Sequence, residues 1–348
     1  MRGELIQRTP IRLLLSKLYG GVTTLRNYGY DRHLLETYQP RIPVLSVGNL
    51  TVGGTGKSPF VQFLAQFLLN SGRRPVILSR GYGGLQRGPR LVSAEDDPRE
   101  VGDETVMHAQ RFGERVPVVI ARERARGAML VEERGWGDVI VLDDGFQHRA
   151  LARSCDLIVV DTSGRSLDDA LRGDLLPAGP FREQPAAGLR RAHGIIALTR
   201  PGVEAQTGAL PDLDLPVFGF QLRISDIRDI RSGTTLRPAQ QPRVRLLAAI
   251  GNPGQFQRSV ESMGFSVETS LFLPDHAPIS CAEWDQFFRR SETPVIVTAK
   301  DAVKVRPYVR EPNQAFVALL EGELDSPGDH DRFAAFLNDH LVDGVRGS

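Results

Sequence analysis

The sequence predicts an α/β protein: a three-layer α/β/α domain built on a parallel sheet, followed by a second, smaller α/β domain. Three observations point there. Short apolar runs at 44–47, 76–79, 139–142, 157–160 and 195–198 read as buried strands, and each ends in a loop carrying glycine or charge. After the first of them, Phe60, Phe63, Leu64, Phe67 and Leu68 recur at helical spacing. From about residue 203 to 242 the chain turns polar and proline-punctuated, and new apolar runs then begin at 244–250, 295–297 and 316–320. The expected organisation is residues 1–205 as the larger domain with an amphipathic N-terminal helix and 206–242 as a linker with a β-hairpin. Residues 243–330 form the smaller domain, and 331–348 a closing helix and tail.

In chain order, residues 11–28 place Ile11, Leu14, Leu15, Leu18, Val22 and Leu25 on one helical face. Arg2, Arg8, Arg12, Lys17 and Arg26 lie in or beside that stretch, and Glu4 is the only acid before Asp31. Such a helix either packs on the domain or lies in a membrane interface with its apolar face down. The Gly20-Gly21 pair weakens both.

Residues 43–69, PVLSVGNLTVGGTGKSPFVQFLAQFLL, read as strand, glycine-rich loop and helix. Gly53, Gly54 and Gly56 let backbone N–H groups turn inward around an anion, and the helix adds its N-terminal dipole. Lys57 would reach the β- and γ-phosphates and the Ser58 hydroxyl would ligate Mg²⁺. Thr51 stands where G-x-x-x-x-G-K-[ST] has its first glycine, but the flanking strand and helix carry a P-loop NTPase-like fold. Only four residues of the chain are lysine (Lys17, Lys57, Lys300 and Lys304), so a lysine kept at this loop suggests that a compact ammonium is required there.

The strand at 76–79 ends in Arg80-Gly-Tyr-Gly-Gly84, at the carboxyl edge where open parallel sheets bind ligands. Asp103 and Glu104 open a helical stretch; Asp103 could be a base and Glu104 a metal ligand, while acids at a helix start also serve as caps. The run at 139–142 delivers Asp143 and Asp144 at its tip, the Walker B arrangement, and two adjacent carboxylates favour a shared cation. His148 is ambiguous. The segment 175–183, LLPAGPFRE, is too rich in proline and glycine to be helical. In the second domain His276 follows Asp275 and reads, taken alone, as a surface pair.

Composition narrows the function. Lys+Arg of 43 against Asp+Glu of 42 leaves a net charge of +1, which gives no electrostatic reason to expect a nucleic-acid partner. Two cysteines, Cys155 and Cys281, fit neither a disulfide framework nor a zinc site, so a reducing compartment is expected. No segment approaches the roughly 20 apolar residues of a spanning helix, and the N-terminus lacks the apolar core of a secretory signal. A phosphate loop, an acid pair and a second domain with a histidine loop make phosphoryl transfer the leading reading, which needs positioned phosphates, Mg²⁺ and a base for the acceptor hydroxyl. A kinase of a soluble sugar or nucleoside and a nucleotide-gated regulatory NTPase are the alternatives.

The segments SVGNLTVGGTGKSP (46–59), SRGYGG (79–84), VGDE (101–104), LDDGFQHR (142–149), LPAGPFRE (176–183), IGNP (250–253), PDH (274–276) and TAKDAVK (298–304) occur in the order seen in the tetraacyldisaccharide 4′-kinase family, which the chain resembles from about residue 11 to 340. The resemblance implies transfer of the ATP γ-phosphate to the 4′-hydroxyl of tetraacyldisaccharide 1-phosphate, giving lipid IVA, by a peripheral enzyme at the cytoplasmic face of the inner membrane. It implies that Thr51, Val52, Gly53, Gly54, Thr55, Gly56, Lys57 and Ser58 hold ATP, and that Ser58, Asp143, Asp144 and Glu104 organise Mg²⁺. Asp103 would be the base in a dyad with His276, with Lys57 on the transferring phosphate. The interfacial role of the N-terminal helix follows from a substrate that lives in the bilayer. A monomer is expected. Ser58 for threonine, Thr105 for proline, Ala299 for glutamate and Ala277-Pro-Ile after His276 depart from the family pattern, and the histidine loop should differ most.

Overall fold

The computed structural model describes residues 9–53, 56–162, 166–199, 215–288, 292–310 and 314–342. Helix α1 (Pro10–Asp31) leads to strand β1 (Val44–Gly48), helix α2 (Lys57–Asn70), strand β2 (Pro75–Ser79) and strand β3 (Arg90–Val92). Helices α3 (Pro98–Val101) and α4 (Asp103–Phe112), strand β4 (Val118–Ile120), helix α5 (Arg124–Arg134) and strand β5 (Val139–Asp143) follow. Next come β6 (Cys155–Asp161), α6 (Leu167–Ala170), α7 (Pro185–Leu189), β7 (Gly194–Thr199) and the long strand β8 (Val217–Asp229). The chain continues through β9 (Arg243–Ala248), α8 (Pro253–Ser262), β10 (Ser266–Phe272), α9 (Cys281–Phe288) and β11 (Val295–Thr298). It closes with α10 (Ala299–Val305), β12 (Ala315–Leu324) and α11 (Pro327–Val342).

The twelve strands of the described residues form one sheet, ordered β10-β9-β11-β12-β8-β7-β6-β1-β5-β2-β4-β3. Strands β8 to β4 in that order run parallel, and β3 closes the edge antiparallel. Every residue of β1 and β5 is buried, as continuous apolar runs between two helical layers should be. Alternate residues point to opposite faces: Leu45, Ile77 and Val141 pack with Phe60 and Leu64 of α2, Val106 of α4 and Phe333 of α11. Val44, Leu78 and Ile140 pack on the other side with Ala128 and Val131 of α5. That is the three-layer arrangement.

The second block, β10-β9-β11-β12, is parallel within itself but joins the first antiparallel, through β12 on β8. In 206–242 antiparallel strands or a hairpin are expected, and the main partner of that stretch is distant in sequence. The alternating stretch from Val217 belongs to a 13-residue strand, parallel to β7 through residues 217–221 and antiparallel to β12 through 220–229. Alternation marks a strand without naming its partner, and this partner lies far downstream. A turn after Asp229 also folds Thr235 back beside Arg228 in a short antiparallel bridge. Residues 206–214 of the expected linker lie outside the described residues.

The antiparallel junction has a geometric result. Because β8 runs outward from the first block and β12 runs back from the second, the carboxyl edges of both parallel blocks face each other. Thr199 at the end of β7 pairs with Gln221, and Thr298 at the end of β11 pairs with Ala318, which pairs with Ile227. At ~3.3 Å per residue, about 20 Å of β8–β12 ribbon separates the two edges. The loops of both blocks therefore open into one cleft.

Helix α1 packs with its small residues inward. Ser16 donates to the Leu175 carbonyl (2.9 Å), Tyr19 to that of Arg182 (2.8 Å), and a Cβ on Gly20 would meet Leu175 Cδ1 at 2.8 Å. Ile11, Leu14, Leu18, Val22 and Leu25 are each at least 60% exposed. Among the described residues no helix is long and apolar enough to cross a membrane.

Candidate active site

Strand β1 delivers the phosphate loop to the carboxyl edge. Gly56, with φ of 77°, caps α2, and a Cβ there would meet Leu198 Cδ2 at 2.6 Å, so both conformation and space require glycine. Among the described residues no side chain caps α2, whose first N–H groups point toward the loop. Val52, Gly53, Gly56, Lys57 and Ser58 line one cavity of about 1070 Å³ together with Glu104, Asp143, Asp144, Asp275 and His276. Thr51 forms a bridge to Phe181. Gly54 and Thr55 lie outside the described residues.

At the tip of β5, Asp143 is 2% exposed and its Oδ1 has no hydrogen-bond partner. His108 Nε2 stands 3.6 Å from its other oxygen, while the Gln62 amide donates to His108 Nδ1 (3.3 Å). Since Nδ1 accepts, the ring proton sits on Nε2 and faces Asp143. Asp144 adopts a positive φ of 50°, uncommon for an L-residue, which turns its carboxylate toward Arg182 Nη1 (3.0 Å) and Lys57 Nζ (3.6 Å). Burial alone would raise the Asp144 carboxyl; Lys57 and Arg182 outweigh it and hold it low. Arg124, behind the pair, is brought down to about 10 by burial and by the charge of Arg80.

The cavity fits a divalent cation by its donor chemistry: an orphaned buried carboxylate oxygen, a second carboxylate and a hydroxyl beside a phosphate loop. Among the described residues no group of three or more His, Cys, Asp or Glu side chains could hold a metal by itself. A hard cation that keeps waters and phosphate oxygens as ligands does not need such a group.

Asp103 opens α4 immediately after Gly102, whose φ is 95° and where a Cβ would strike the Tyr82 carbonyl at 2.7 Å. From the other block, the loop after β10 brings His276, at a positive φ of 59°, against it. His276 Nδ1 lies 3.2 Å from Asp103 Oδ1, and Lys300 Nζ lies 3.0 Å from His276 Nε2. An ammonium only donates, so Nε2 accepts and the ring proton is on Nδ1, donated to Asp103. Tyr82 of the Arg80–Gly84 loop packs on the imidazole, ring centroids 4.7 Å apart. Asp103 Oδ2 takes a contact from Lys304 Nζ at 3.1 Å, and the Glu104 N–H donates to Oδ1 at 2.9 Å. Burial would raise the Asp103 carboxyl, but the His276 hydrogen bond and the charges of Lys300 and Lys304 bring it down to about 2. Glu104 Oε1 lies 3.4 Å from Lys300 Nζ and Asp275 lies 2.9 Å from it. Burial lowers Lys300, yet Glu104, Asp103 and Asp275 raise it on balance.

The structure thus gathers residues that are far apart in sequence and adds several that sequence reasoning did not single out: Arg182, Arg124, His108, Lys300 and Lys304. One signal was available for the last two. Of 43 Lys and Arg residues four are lysine, and Lys57, Lys300 and Lys304 all stand at this cleft.

A model of the tetraacyldisaccharide-1-P 4′-kinase family matches residues 9–342. The tetraacyldisaccharide 4′-kinase of Alkalilimnicola ehrlichii is 40% identical over 293 residues, covering 83% of this chain and 82% of the relative. That of Dechloromonas aromatica is 39% identical over 337 residues, 96% of this chain and 92% of the relative. Among solved structures, LpxK from Aquifex aeolicus in complex with ATP superposes with a TM-score of 0.75 at 26% identity, over 94% of this chain and 98% of that one.

Proposed function

The chain belongs to the tetraacyldisaccharide-1-P 4′-kinase family, an ATP-dependent kinase of the lipid A precursor that forms lipid IVA, and we propose from that premise which of its residues carry the reaction. The N–H groups at the start of α2 and the Lys57 ammonium hold the ATP phosphates. Ser58, Asp143 and Asp144 would hold Mg²⁺, with Glu104 lining the same cavity. When bound, Mg²⁺ would neutralise charge on the β- and γ-phosphate oxygens. Arg182 fixes Asp144 and adds a fixed positive charge to the cleft.

Asp103 accepts the proton of the 4′-hydroxyl. A carboxylate held near 2 is a weak base, which suits a loose phosphoryl transfer in which the proton leaves late and orientation matters more than driving force. His276, whose Nδ1–H donates a hydrogen bond to Asp103, orients that carboxylate from the opposite block. The observation that carries this reading is the 3.2 Å Asp103–His276 hydrogen bond, formed across the cleft that holds Lys57 and the acid pair. The two blocks thereby act as two domains with the site between them.

The exposed apolar face of α1 suits an interfacial helix, apolar side down, which would bring a monomer to its acylated substrate at the cytoplasmic face of the inner membrane. The reaction and site are tested by transfer of labelled γ-phosphate to tetraacyldisaccharide 1-phosphate in detergent micelles. Wild type should label the lipid, whereas Lys57→Ala and Asp103→Ala should lose at least about 100-fold in kcat. Near-normal turnover by Asp103→Ala with intact fold would falsify the base assignment.

A further inference from the structure

We infer that Lys304 is the positioning residue that fixes both members of the Asp103–His276 pair, an assignment that rests on Asp103 being the base. Its ammonium has three protons and meets three acceptors: Asp301 Oδ1 at 3.1 Å, the Ala277 carbonyl at 3.3 Å and Asp103 Oδ2 at 3.1 Å. The first anchors the lysine to its own block, the second holds the histidine loop one residue beyond His276, and the third crosses the cleft to the carboxylate. One cation thus ties the loop that presents the imidazole to the carboxylate that accepts its hydrogen bond.

The anchor is rigid. Asp301 is 0% exposed, and its other oxygen accepts from the Ala249 N–H (3.0 Å) and the Thr298 hydroxyl (2.7 Å) at the carboxyl ends of β9 and β11. Lys304 itself is 10% exposed along its side chain, so no solvent reorganisation is needed to hold it in place. A His276 loop with Ala277-Pro-Ile after the histidine, at a positive φ, needs an external restraint, and the Ala277 carbonyl bond supplies one. The residue type matters as well. In a chain that uses arginine almost everywhere, this position keeps the compact tetrahedral donor, and a planar guanidinium fork cannot meet three acceptors disposed around a point.

Asp103 Oδ2 retains a lone pair beside the Lys304 contact, and that lone pair is the one left for the acceptor hydroxyl. Lys304 therefore sets where the base points without touching substrate. Its loss should lower turnover while leaving nucleotide binding alone, since the phosphates bind on the opposite block.

The test measures kcat, the KM for ATP, binding of a fluorescent ATP analogue and the melting temperature for Lys304→Ala, Lys304→Arg, His276→Ala and the Lys304→Ala/His276→Ala double variant, with Asp103→Ala alongside. For Lys304→Ala the expected result is a fall in kcat of about 100-fold with KM for ATP and analogue binding within about threefold, and at least tenfold recovery with propylammonium chloride but not with sodium chloride. The double variant should cost no more than the worse single one, because both act through the same carboxylate. Lys304→Arg should melt like wild type and still lose at least about tenfold in kcat, so it decides the matter if Lys304→Ala does not fold. Wild-type kcat in both Lys304 variants, additive losses in the double variant, or loss of analogue binding by folded Lys304→Ala would each overturn the inference while Asp103→Ala remains inactive. Turnover by Asp103→Ala would instead overturn the base assignment beneath it.

Discussion

Single residues here carry charge states that their neighbours dictate. His148 has its Nε2 buried without a hydrogen-bond partner, and burial, together with Arg124 and Arg153, pushes its pKa down to about 4. In the unfolded chain it titrates near 6.5, so the unfolded state binds the proton first as pH falls. Stability should therefore drop between pH 6.5 and 4 and level off below. Thermal melts of wild type should show a steeper decline over that window than those of His148→Asn, and parallel curves would remove His148 as the cause. Asp103 acts with the same sign in a lower window: its carboxyl is held near 2, so the stability it contributes is full above its unfolded value and is lost as pH falls from about 4 toward 2. At this scale the sequence was partly legible. Asp143 and Asp144 could be read from an apolar strand ending in acids, but Asp103 looked like a helix cap and His276 like a surface pair. The family resemblance paired them, and the fold brings these residues, 173 positions apart, within hydrogen-bonding distance.

Among the elements, α1 turns on which face is inward. Periodicity found the apolar face, and the Gly20-Gly21 pair read as a weakness; in the folded chain Gly20 is the contact that lets the helix sit on Leu175. A glycine's value lies in what approaches it, which sequence does not show. Gly20→Val should overpack that contact and cost about 1–3 kcal/mol by denaturant unfolding. Leu14→Ser combined with Val22→Ser, both fully on the exposed side, should leave stability within about 0.5 kcal/mol while reducing co-sedimentation with anionic phospholipid vesicles. Unchanged vesicle binding would detach α1 from the membrane. Strands β4 and β10 were not foreseen for related reasons. β4 has three residues, and β10 lies at the sheet edge, where its SVETSLF sequence need not be apolar.

Across the whole molecule, the apolar runs pointed to a parallel-sheet domain and a second, smaller α/β unit, but not to one sheet joining them. The junction depends on pairing β8 with β12 across residues 230–314, and nothing local to either strand encodes the other. Within the ribbon Phe220 crowds Gly322: a Cβ there would meet its Cζ at 2.0 Å. Gly322→Val should therefore lower the melting temperature and also reduce kcat, because the same ribbon sets the distance between the blocks; a melting shift with unchanged kcat would separate the two. Two strands are also a soft member in torsion. A change of roughly 10°, inside the ordinary spread of strand twist, acting over a lever arm of about 20 Å, sweeps the far edge through ~3.5 Å, one full hydrogen-bond length. The reacting groups thus sit at the end of a compliant arm, and the salt links spanning the gap serve as its damper, converting a loosely sprung pair of jaws into a tool with a repeatable bite.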